Sequence, residues 1–293
     1  GTAAAAGVMG PPPRYFYSQR LKLHYLDWGN PDAPLLLLVH GGRDHCRNWD
    51  WVAQELCADY HVIAPDLRGH GDSQWAIGGG YAMVDYVLDV ASLLEQLGEF
   101  PITIIGHSLG GAISLQYTGV YPERVQKVVA IEGLGPPPRM IRDVPAQERM
   151  DRWVTEMRDL ARRRPRPYAT LEEAVARMQE ANPRLSAGQA RHLTIHGSYR
   201  AEDGSWFWKY DNYVRASSPY LFNMRDAREL WGRITCPVLL LRGTESWAED
   251  PVVDGRASAF SDYEFHNVEG AGHWVHHDRL DEFLERTRAF LRR

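Results

Sequence analysis

The sequence predicts a doubly wound α/β fold, in which a mostly parallel sheet carries helices on both faces and a helical cap is inserted. Three observations lead to this prediction: short runs that are apolar on both faces, helical periodicity between them, and one long interval without this alternation. Alternating strands and helices are typical of parallel sheets, whose strands are buried on both faces and therefore give continuous apolar runs. The five runs are LLLLVH (35–40), HVIAP (61–65), ITIIG (102–106), VVAI (128–131) and VLLLR (238–242).

The flanking elements extend this pattern along the chain. Residues 15–27 carry apolar side chains at alternate positions, which indicates a hairpin at the edge of the sheet. The clearest helical periodicity lies at 83–97, where the apolar residues share one face. After the fifth run, YEFHNV (263–268) has the character of another strand, and a last helix is predicted at about 278–291.

The alternation stops between residues 133 and 230. Helices are predicted there at 146–163 and 170–181, and Thr170 and Glu173 have the spacing of a capping box. No buried-strand run occurs in this interval. An all-helical insertion that follows a strand is best explained as a cap over the carboxyl edge of the sheet.

The predicted organisation therefore has three parts. Residues 1–13 are expected to form a disordered tail. Residues 14–133 and 231–293 form the α/β core, and residues 134–230 form the helical cap. We expect the cap to be a mobile lid, because such lids exclude water and control substrate access.

Composition narrows the classes of partner. The 293 residues are 44% hydrophobic and 24% charged, with a net charge of −5, which does not favour a nucleic-acid or membrane-surface partner. No apolar run is long enough to span a membrane, and the first residues lack the features of a signal peptide. Three scattered cysteines favour a reducing, cytoplasmic location. We expect a small-molecule substrate. A homo-oligomer remains an alternative to a monomer.

The strongest functional signal is IIGHSLGG, at residues 104–111. An apolar strand leads into G-x-S-x-G, formed by Gly106, Ser108 and Gly110, and a helical segment follows. This is the context that a nucleophile elbow requires, because the tight turn leaves no room for side chains beside the serine. The amide groups at the start of the helix would face a developing oxyanion.

Several motifs in this order resemble those of the α/β-hydrolase superfamily. The resemblance covers nearly all of residues 14–293, and the long insertion follows Ile131, where that family places its lid. It implies the α/β-hydrolase fold and a serine hydrolase mechanism. The segments that carry it, besides the elbow, are LLLLVHGG (35–42), APDLRGHGDS (64–73) and GAGHWVHHD (270–278).

A serine hydroxyl is a weak nucleophile without a base, and His273 is the candidate base. It lies late in the chain, in a glycine-containing loop after a predicted strand. His276 and His277 are nearby alternatives that we expect to begin the last helix. His107 and His40 are interpreted as structural hydrogen-bonding residues.

The orienting acid departs from the usual pattern of the superfamily. Most members carry an aspartate at the position held here by Ser246, whereas some carry the acid at the end of the sixth strand. Glu132 lies there, where an apolar strand ends, and a carboxylate in such a setting needs a partner. We therefore predict that Glu132 orients His273. Glu245 and Asp250 remain alternatives.

The resemblance also implies the donors of the oxyanion hole and suggests substrate contacts. Two backbone amides are expected to serve, Leu109 after the nucleophile and Gly42, with Arg43 as the alternative to Gly42. Arg43, Trp153 and Trp274 are predicted to contact the substrate. Further residues that could line a pocket are Asp44, His45, Trp49, Trp206 and Trp208.

These residues together predict a serine hydrolase of a carboxylic ester, lactone or thioester, acting through an acyl-enzyme on Ser108. Amide hydrolysis and C–C bond hydrolysis remain alternatives, although HGGRDHC departs from the HG-x-G-P-G of C–C hydrolases. Epoxide hydrolases and dehalogenases of this fold use aspartate at the elbow, which Ser108 argues against. A non-catalytic small-molecule-binding member of the fold is the alternative outside enzymes. The histidines do not have metal-ligand spacing, so no metal and no cofactor are expected.

Overall fold

The computed structural model describes residues 8–216, 218–220 and 222–293. Its centre is an eight-stranded sheet, which confirms the predicted fold class. Five of these strands coincide closely with the five apolar runs, and the predicted hairpin and the strand at 263–268 supply the rest. The strands of the sheet are β1 (Pro13–Ser18), β2 (Leu21–Asp27), β3 (Leu35–Val39), β4 (His61–Pro65), β5 (Ile102–His107), β6 (Val125–Ile131), β9 (Val238–Gly243) and β10 (Tyr263–Val268).

The order of strands across the sheet is β1-β2-β4-β3-β5-β6-β9-β10. Six strands are parallel to one another: β4, β3, β5, β6, β9 and β10. The strands β1 and β2 are antiparallel to each other, and β2 is antiparallel to β4. The carboxyl ends of β3, β5, β6 and β9 therefore meet at one edge of the sheet. In open α/β sheets, this is the edge at which sites form.

Nine helices lie among the described residues. They are α1 (Asp50–Leu56), α2 (Met83–Leu97), α3 (Leu109–Val120), α4 (Ala146–Arg162), α5 (Leu171–Ala181), α6 (Ala187–Gly197), α7 (Met224–Arg233), α8 (Val275–Asp278) and α9 (Leu280–Leu291). The predicted last helix is thus divided into α8 and α9, because Arg279 between them has φ −138°, outside the helical range. None of these helices combines the length and apolar character that crossing a membrane requires.

The two faces of the sheet are covered by different helices. Alternate residues of β3 enter different cores: Leu35 and Leu37 pack with α2, α3 and α7, whereas Leu36 and Leu38 pack with α1 and α9. Because successive side chains of a strand point to opposite faces, a strand buried on both faces must be apolar throughout. This is why LLLLV carries no polar position.

The segment that was predicted to be all-helical also contains a short antiparallel pair of strands. The helices α4 and α5 confirm the predicted ones, and Thr170 Oγ1 accepts a hydrogen bond from the amide of Glu173 at 3.2 Å. The expectation of an all-helical cap was wrong, because β7 (Ser198–Arg200) pairs with β8 (Trp206–Trp208). Strands of three residues are too short to show the alternation of apolar and polar residues from which a strand is predicted.

The predicted boundary of the cap at residue 230 falls inside α7. This helix belongs to the core, since Ala227 and Trp231 are buried in the same cluster as the α3 side chains. The approach is so close that a Cβ on Gly119 of α3 would lie 2.4 Å from the carbonyl oxygen of Leu230. The core therefore resumes with α7, several residues earlier than the sequence predicts.

The predicted disordered tail at residues 1–13 lies partly outside the described residues, which begin at residue 8. In the part that is described, the carbonyl of Val8 accepts a hydrogen bond from Arg47 at 2.9 Å. Pro13 already begins β1. Val8 and Pro13 thus contact the rest of the protein, and disorder stays a prediction for residues 1–7.

Candidate active site

Ser108 lies in the sharp turn between β5 and α3. Its backbone has φ 53° and ψ −118°, a region that non-glycine residues rarely adopt and that is typical of a nucleophile elbow. Its amide donates to the carbonyl of Ile131 at 2.8 Å, which ties the elbow to the end of β6. The turn also explains the flanking glycines: a Cβ on Gly106 or Gly110 would lie within 2.4 Å of a backbone oxygen.

Glu132 lies immediately after β6, beside the elbow strand. It also has a positive φ, 48°, and its amide donates to the carbonyl of Leu241 at 2.9 Å. Its side chain is completely buried. The predicted contact is present in the structure: Nδ1 of His273 lies 2.6 Å from Oε1 of Glu132. A donating Nδ1 leaves the lone pair on Nε2 of the imidazole, which is the form that a general base requires.

Two further donors satisfy the Glu132 carboxylate. The hydroxyl of Ser246 donates to Oε1 at 2.6 Å, and the amide of Gly243 donates to Oε2 at 2.8 Å. In the sequence, Ser246 marks only the position at which most members of the superfamily carry an aspartate. In the structure, this serine donates a hydrogen bond to the carboxylate of Glu132, which follows the neighbouring strand. The hydroxyl group at position 246 was the only feature of the sequence that could have indicated this role.

The other two carboxylates proposed for the acid are held elsewhere. Glu245 forms an ion pair with Arg184. Oδ1 of Asp250 accepts from the amide of Val252 at 2.9 Å. The structure therefore brings Glu132, and not these two residues, to His273.

The remaining histidines near the elbow are bound by structural partners. Nε2 of His107 donates to the carbonyl of His273 at 2.8 Å, and burial holds its pKa well below the usual range. His40 donates from Nδ1 to the carbonyl of Gly41 at 2.7 Å, and burial lowers its pKa to about 4. His276 bonds through Nε2 to Oδ1 of Asn48 at 2.6 Å. His277, as predicted, lies with His276 in the first turns of the last helical segment.

The two residues whose amides are predicted for the oxyanion hole, Gly42 and Leu109, lie near each other. Leu109 is the first residue of α3, and the first amides of a helix have no intrahelical acceptor. Its side chain comes within 3.8 Å of the position that a Cβ on Gly42 would occupy. The amide of Arg43, the alternative, already donates to Nε2 of His70 at 2.9 Å. This bond favours Gly42 over Arg43.

A cavity of about 540 Å³ opens above Ser108 and His273. Arg43 and Trp274 line it, as predicted for substrate contacts, and residues 181–185 of the inserted segment form part of its wall. Trp153 lies on α4 and is not among the lining residues. The cavity also includes Trp247, which no sequence motif indicates; its ring centroid lies 5.0 Å from that of His273. Only its proximity in sequence to Ser246 could have suggested it.

Two groups of described residues have the side chains of metal ligands close together. In both, the carboxylate already has protein partners. Asp66 accepts from Nδ1 of His24 at 2.7 Å and from the amide of Cys46 at 2.7 Å. Asp50 pairs with Nε2 of His192 at 2.8 Å, and His196 completes this second group. None of these residues lines the cavity that contains Ser108.

The fold and the order of the site residues correspond to a known family. The sequence model described as the alpha/beta hydrolase family matches residues 36–286. The chain belongs to the alpha/beta hydrolase family. Its motifs, from the glycine loop after β3 to the histidine loop after β10, all lie inside the matched segment.

This alpha/beta hydrolase has relatives that match it along most of its length. It is 27% identical over 296 residues to the esterase Rv0045c of Mycobacterium tuberculosis, covering 99% of this chain and 93% of the relative. It is 30% identical over 245 residues to a 3-hydroxybutyrate-oligomer hydrolase of Cupriavidus necator, covering 77% of each protein. The structure of the hypothetical protein PA1622 from Pseudomonas aeruginosa aligns with a TM-score of 0.85 and 27% identity, over 96% of this chain and 99% of that one. These similarities support a hydrolase.

Proposed function

We propose that this alpha/beta hydrolase is a serine hydrolase that cleaves a carboxylic ester, lactone or thioester of a small organic molecule. The observation that carries the proposal is the bond of 2.6 Å between Nδ1 of His273 and Glu132, beside a serine in an elbow conformation. A buried carboxylate bound to an imidazole at this edge of the sheet is the arrangement that activates a hydroxyl. The relatives with esterase and oligomer-hydrolase names support ester bonds as the substrate class.

The proposed reaction has two halves. Oγ of Ser108 attacks the carbonyl carbon while Nε2 of His273 takes its proton, and the amides of Gly42 and Leu109 stabilise the oxyanion. When the tetrahedral intermediate collapses, His273 gives the proton to the leaving oxygen or sulfur. Water, deprotonated by the same imidazole, then attacks the acyl-enzyme and releases the acid. Glu132 keeps Nδ1 protonated and stabilises the imidazolium throughout.

Labelling with a fluorophosphonate probe tests the nucleophile. The wild-type protein should hydrolyse 4-nitrophenyl acetate and take up one equivalent of probe, located on Ser108 by peptide mass spectrometry. Ser108→Ala should remain folded, lose at least about three orders of magnitude in turnover and take up no probe. Ser114→Ala is the matched control, because this serine is buried and donates within α3 to the carbonyl of Gly110. Undiminished labelling of Ser108→Ala would overturn the assignment.

The alternatives differ in what the same site would do. An amide hydrolase or C–C bond hydrolase on the same triad would also be labelled, but would prefer anilide or diketone substrates in a competition assay. A non-catalytic binding protein would show only trace turnover despite the arrangement of Ser108, His273 and Glu132. A mobile lid, a cytoplasmic location and the lack of nucleic-acid and membrane partners stay predictions.

A further inference from the structure

A second cavity lies beside the one that contains Ser108. It has a volume of about 460 Å³ and is lined largely by residues of the inserted segment. The two cavities share lining residues, among them Gly42, Arg43, Asp44 and Trp274. We call the second cavity the distal chamber. Because Gly42 is a proposed oxyanion donor, a substrate held at Ser108 could extend past Arg43 into the distal chamber.

The side chains that line the distal chamber are strongly cationic, although the protein as a whole has a net charge of −5. One carboxyl group, that of Asp44, lies among them. The five cationic residues of the lining are Arg43, Arg166, Arg177, Lys209 and Arg215. Such a concentration of one sign of charge inside a concave site raises the local concentration of ligands of the opposite sign.

Among the described residues, carboxylates neutralise only part of this positive charge. Lys209 pairs with Asp72 at 2.8 Å, and Arg177 lies 3.7 Å from Glu180. Arg166 and Arg215 lie instead over the rings of Tyr168 and Tyr210, at 5.2 and 5.4 Å from the ring centroids.

The contact between Arg215 and Tyr210 is also a hydrogen bond. Nη2 of Arg215 donates to the hydroxyl of Tyr210 at 2.6 Å. A cation–π contact leaves N–H groups of a guanidinium free to bind an anion and limits its conformations. The two tyrosine rings therefore restrict both arginines before a ligand arrives.

The carboxyl group of Asp44 does not neutralise the positive charge of the distal chamber at neutral pH. Asp44 is buried and accepts a hydrogen bond from the amide of His45 at 2.9 Å. Burial raises its pKa to about 8, so the group is mainly protonated at pH 7. A protonated carboxyl can itself donate a hydrogen bond to an anionic oxygen.

We propose that the distal chamber binds a terminal anionic group of the substrate, a carboxylate or a phosphate, several bonds away from the ester that Ser108 attacks. This inference rests on the proposed function, because it names the substrate class of that site. The anion would lie between Arg166 and Arg215, with Arg43 at the passage between the two cavities. The preferred substrates are then long esters with one charged end.

Matched pairs of esters test the charge preference. On the acyl side, mono-4-nitrophenyl suberate is compared with the same ester whose far end is a carboxamide. On the alcohol side, the butanoate ester of ω-hydroxyoctanoate is compared with that of ω-hydroxyoctanamide, and the butanoate ester of ω-hydroxyoctyl phosphate distinguishes phosphate from carboxylate. We expect kcat/KM to favour the anionic member by about tenfold or more on one side, as charge-assisted hydrogen bonds imply. Equal rates, or a preference for the neutral member on both sides, would overturn the proposal.

Substitution of Arg166 and Arg215 tests where the anion binds. Arg166→Gln with Arg215→Gln should remove most of the preference, by raising KM for the anionic ester more than KM for the carboxamide-ended ester. The matched control is Arg162→Gln with Arg163→Gln, two exposed arginines of the same segment that do not line the chamber. A preference that persists in the first double variant would place the anion elsewhere and contradict the proposal. The single variants Arg166→Gln and Arg215→Gln serve if the double variant does not fold.

Binding to Ser108→Ala separates this inference from the proposed function. Calorimetric titration with monomethyl suberate and with its carboxamide should show tighter binding of the anion, and Arg166 and Arg215 should account for the difference. If wild-type protein has no esterase activity but this preference exists, the function is wrong and the chamber assignment holds. If esterase activity is present but neither the titration nor either pair of esters shows a preference for the anion, the chamber assignment is wrong.

Discussion

At the scale of single residues, the acid of the site is defined by what surrounds its carboxylate. Glu132 accepts hydrogen bonds from an imidazole, a hydroxyl and a backbone amide. An ionised side chain without exposure is costly unless such partners satisfy it. The same bonds fix the position of Oε1 against His273, so the partners that stabilise the charge also orient the base.

Ser246 provides the first prediction at this scale. Ser246→Ala removes one donor from Oε1 of Glu132 but leaves the bond to His273, so turnover should fall by about tenfold, the effect of one charge-assisted hydrogen bond. KM should change little, and the loss should be visible in kcat for 4-nitrophenyl acetate. Ser258→Ala, at an exposed serine that bonds to the carbonyl of Gly255, is the control. Wild-type kcat in Ser246→Ala would show that this hydroxyl does not support the acid.

The sequence predicts the site residues as far as motifs determine them. Ser108 and Glu132 each follow an apolar strand, and parallel strands bring their carboxyl ends together. The roles of Ser246 and Trp247 could not be predicted, because they depend on how the loop after β9 turns back toward β6. The bond from His107 to the carbonyl of His273 likewise joins residues 166 positions apart in the chain.

At the scale of secondary structure elements, the sequence predicts long or buried elements well. The strand HVIAP is buried at every position, and the helix at 83–97 has the predicted bounds. The short strands β7 and β8 and the helix α7 were missed. Only Ala227 and Trp231 of α7 are buried, so its apolar face is narrow and its packing depends on a glycine in another helix.

The packing of α7 on α3 gives a prediction that compares two glycines in helices. Gly119→Ala places a methyl group 2.4 Å from the carbonyl oxygen of Leu230, and should lower the free energy of unfolding by about 1–3 kcal/mol. Gly232→Ala meets its nearest atom at 3.9 Å and should be neutral or stabilising by up to about 1 kcal/mol. Urea unfolding of both variants measures the difference. Equal stabilities would contradict the close contact between the two helices.

At the scale of the whole molecule, several histidines are buried in the interior. Burial lowers the pKa of His40 and His45 to about 4 and that of His70 and His277 to about 3. Each is therefore neutral in the folded protein, whereas in the unfolded chain a histidine binds a proton below about pH 6.5. The folded state binds fewer protons than the unfolded state in this range.

Stability should consequently fall with acidification. The contribution of these histidines is complete above pH 6.5 and is lost as the pH decreases toward 4, at up to about 1.4 kcal/mol per pH unit for each group. Asp44 has the opposite effect on stability, because burial raises its pKa to about 8 and the folded state then binds more protons than the unfolded state. It is a single group, whereas several histidines lower the stability on acidification. Urea unfolding at pH 7 and pH 5 should show a lower free energy of unfolding at pH 5. Equal values would contradict the neutral state of the buried histidines.

A pair of variants tests the origin of this pH dependence. His277 is buried, whereas His266 lies partly exposed on β10. His277→Gln should reduce the difference in unfolding free energy between pH 7 and pH 5, whatever its effect on stability at pH 7. His266→Gln should leave that difference unchanged. An unchanged difference in His277→Gln would show that its imidazole titrates normally.

The turnover of Glu132→Gln tests the central claim most directly, that the acid of this site comes from the end of β6 and not from the loop after β9. The variant should be folded and should bind substrate normally, but its kcat for 4-nitrophenyl acetate should fall by about four orders of magnitude, as loss of the orienting acid does in other triads. Glu245→Gln and Asp250→Asn, measured beside it, should stay near wild type. A Glu132→Gln variant with wild-type turnover, together with a severe loss in either of the other two, would contradict the account.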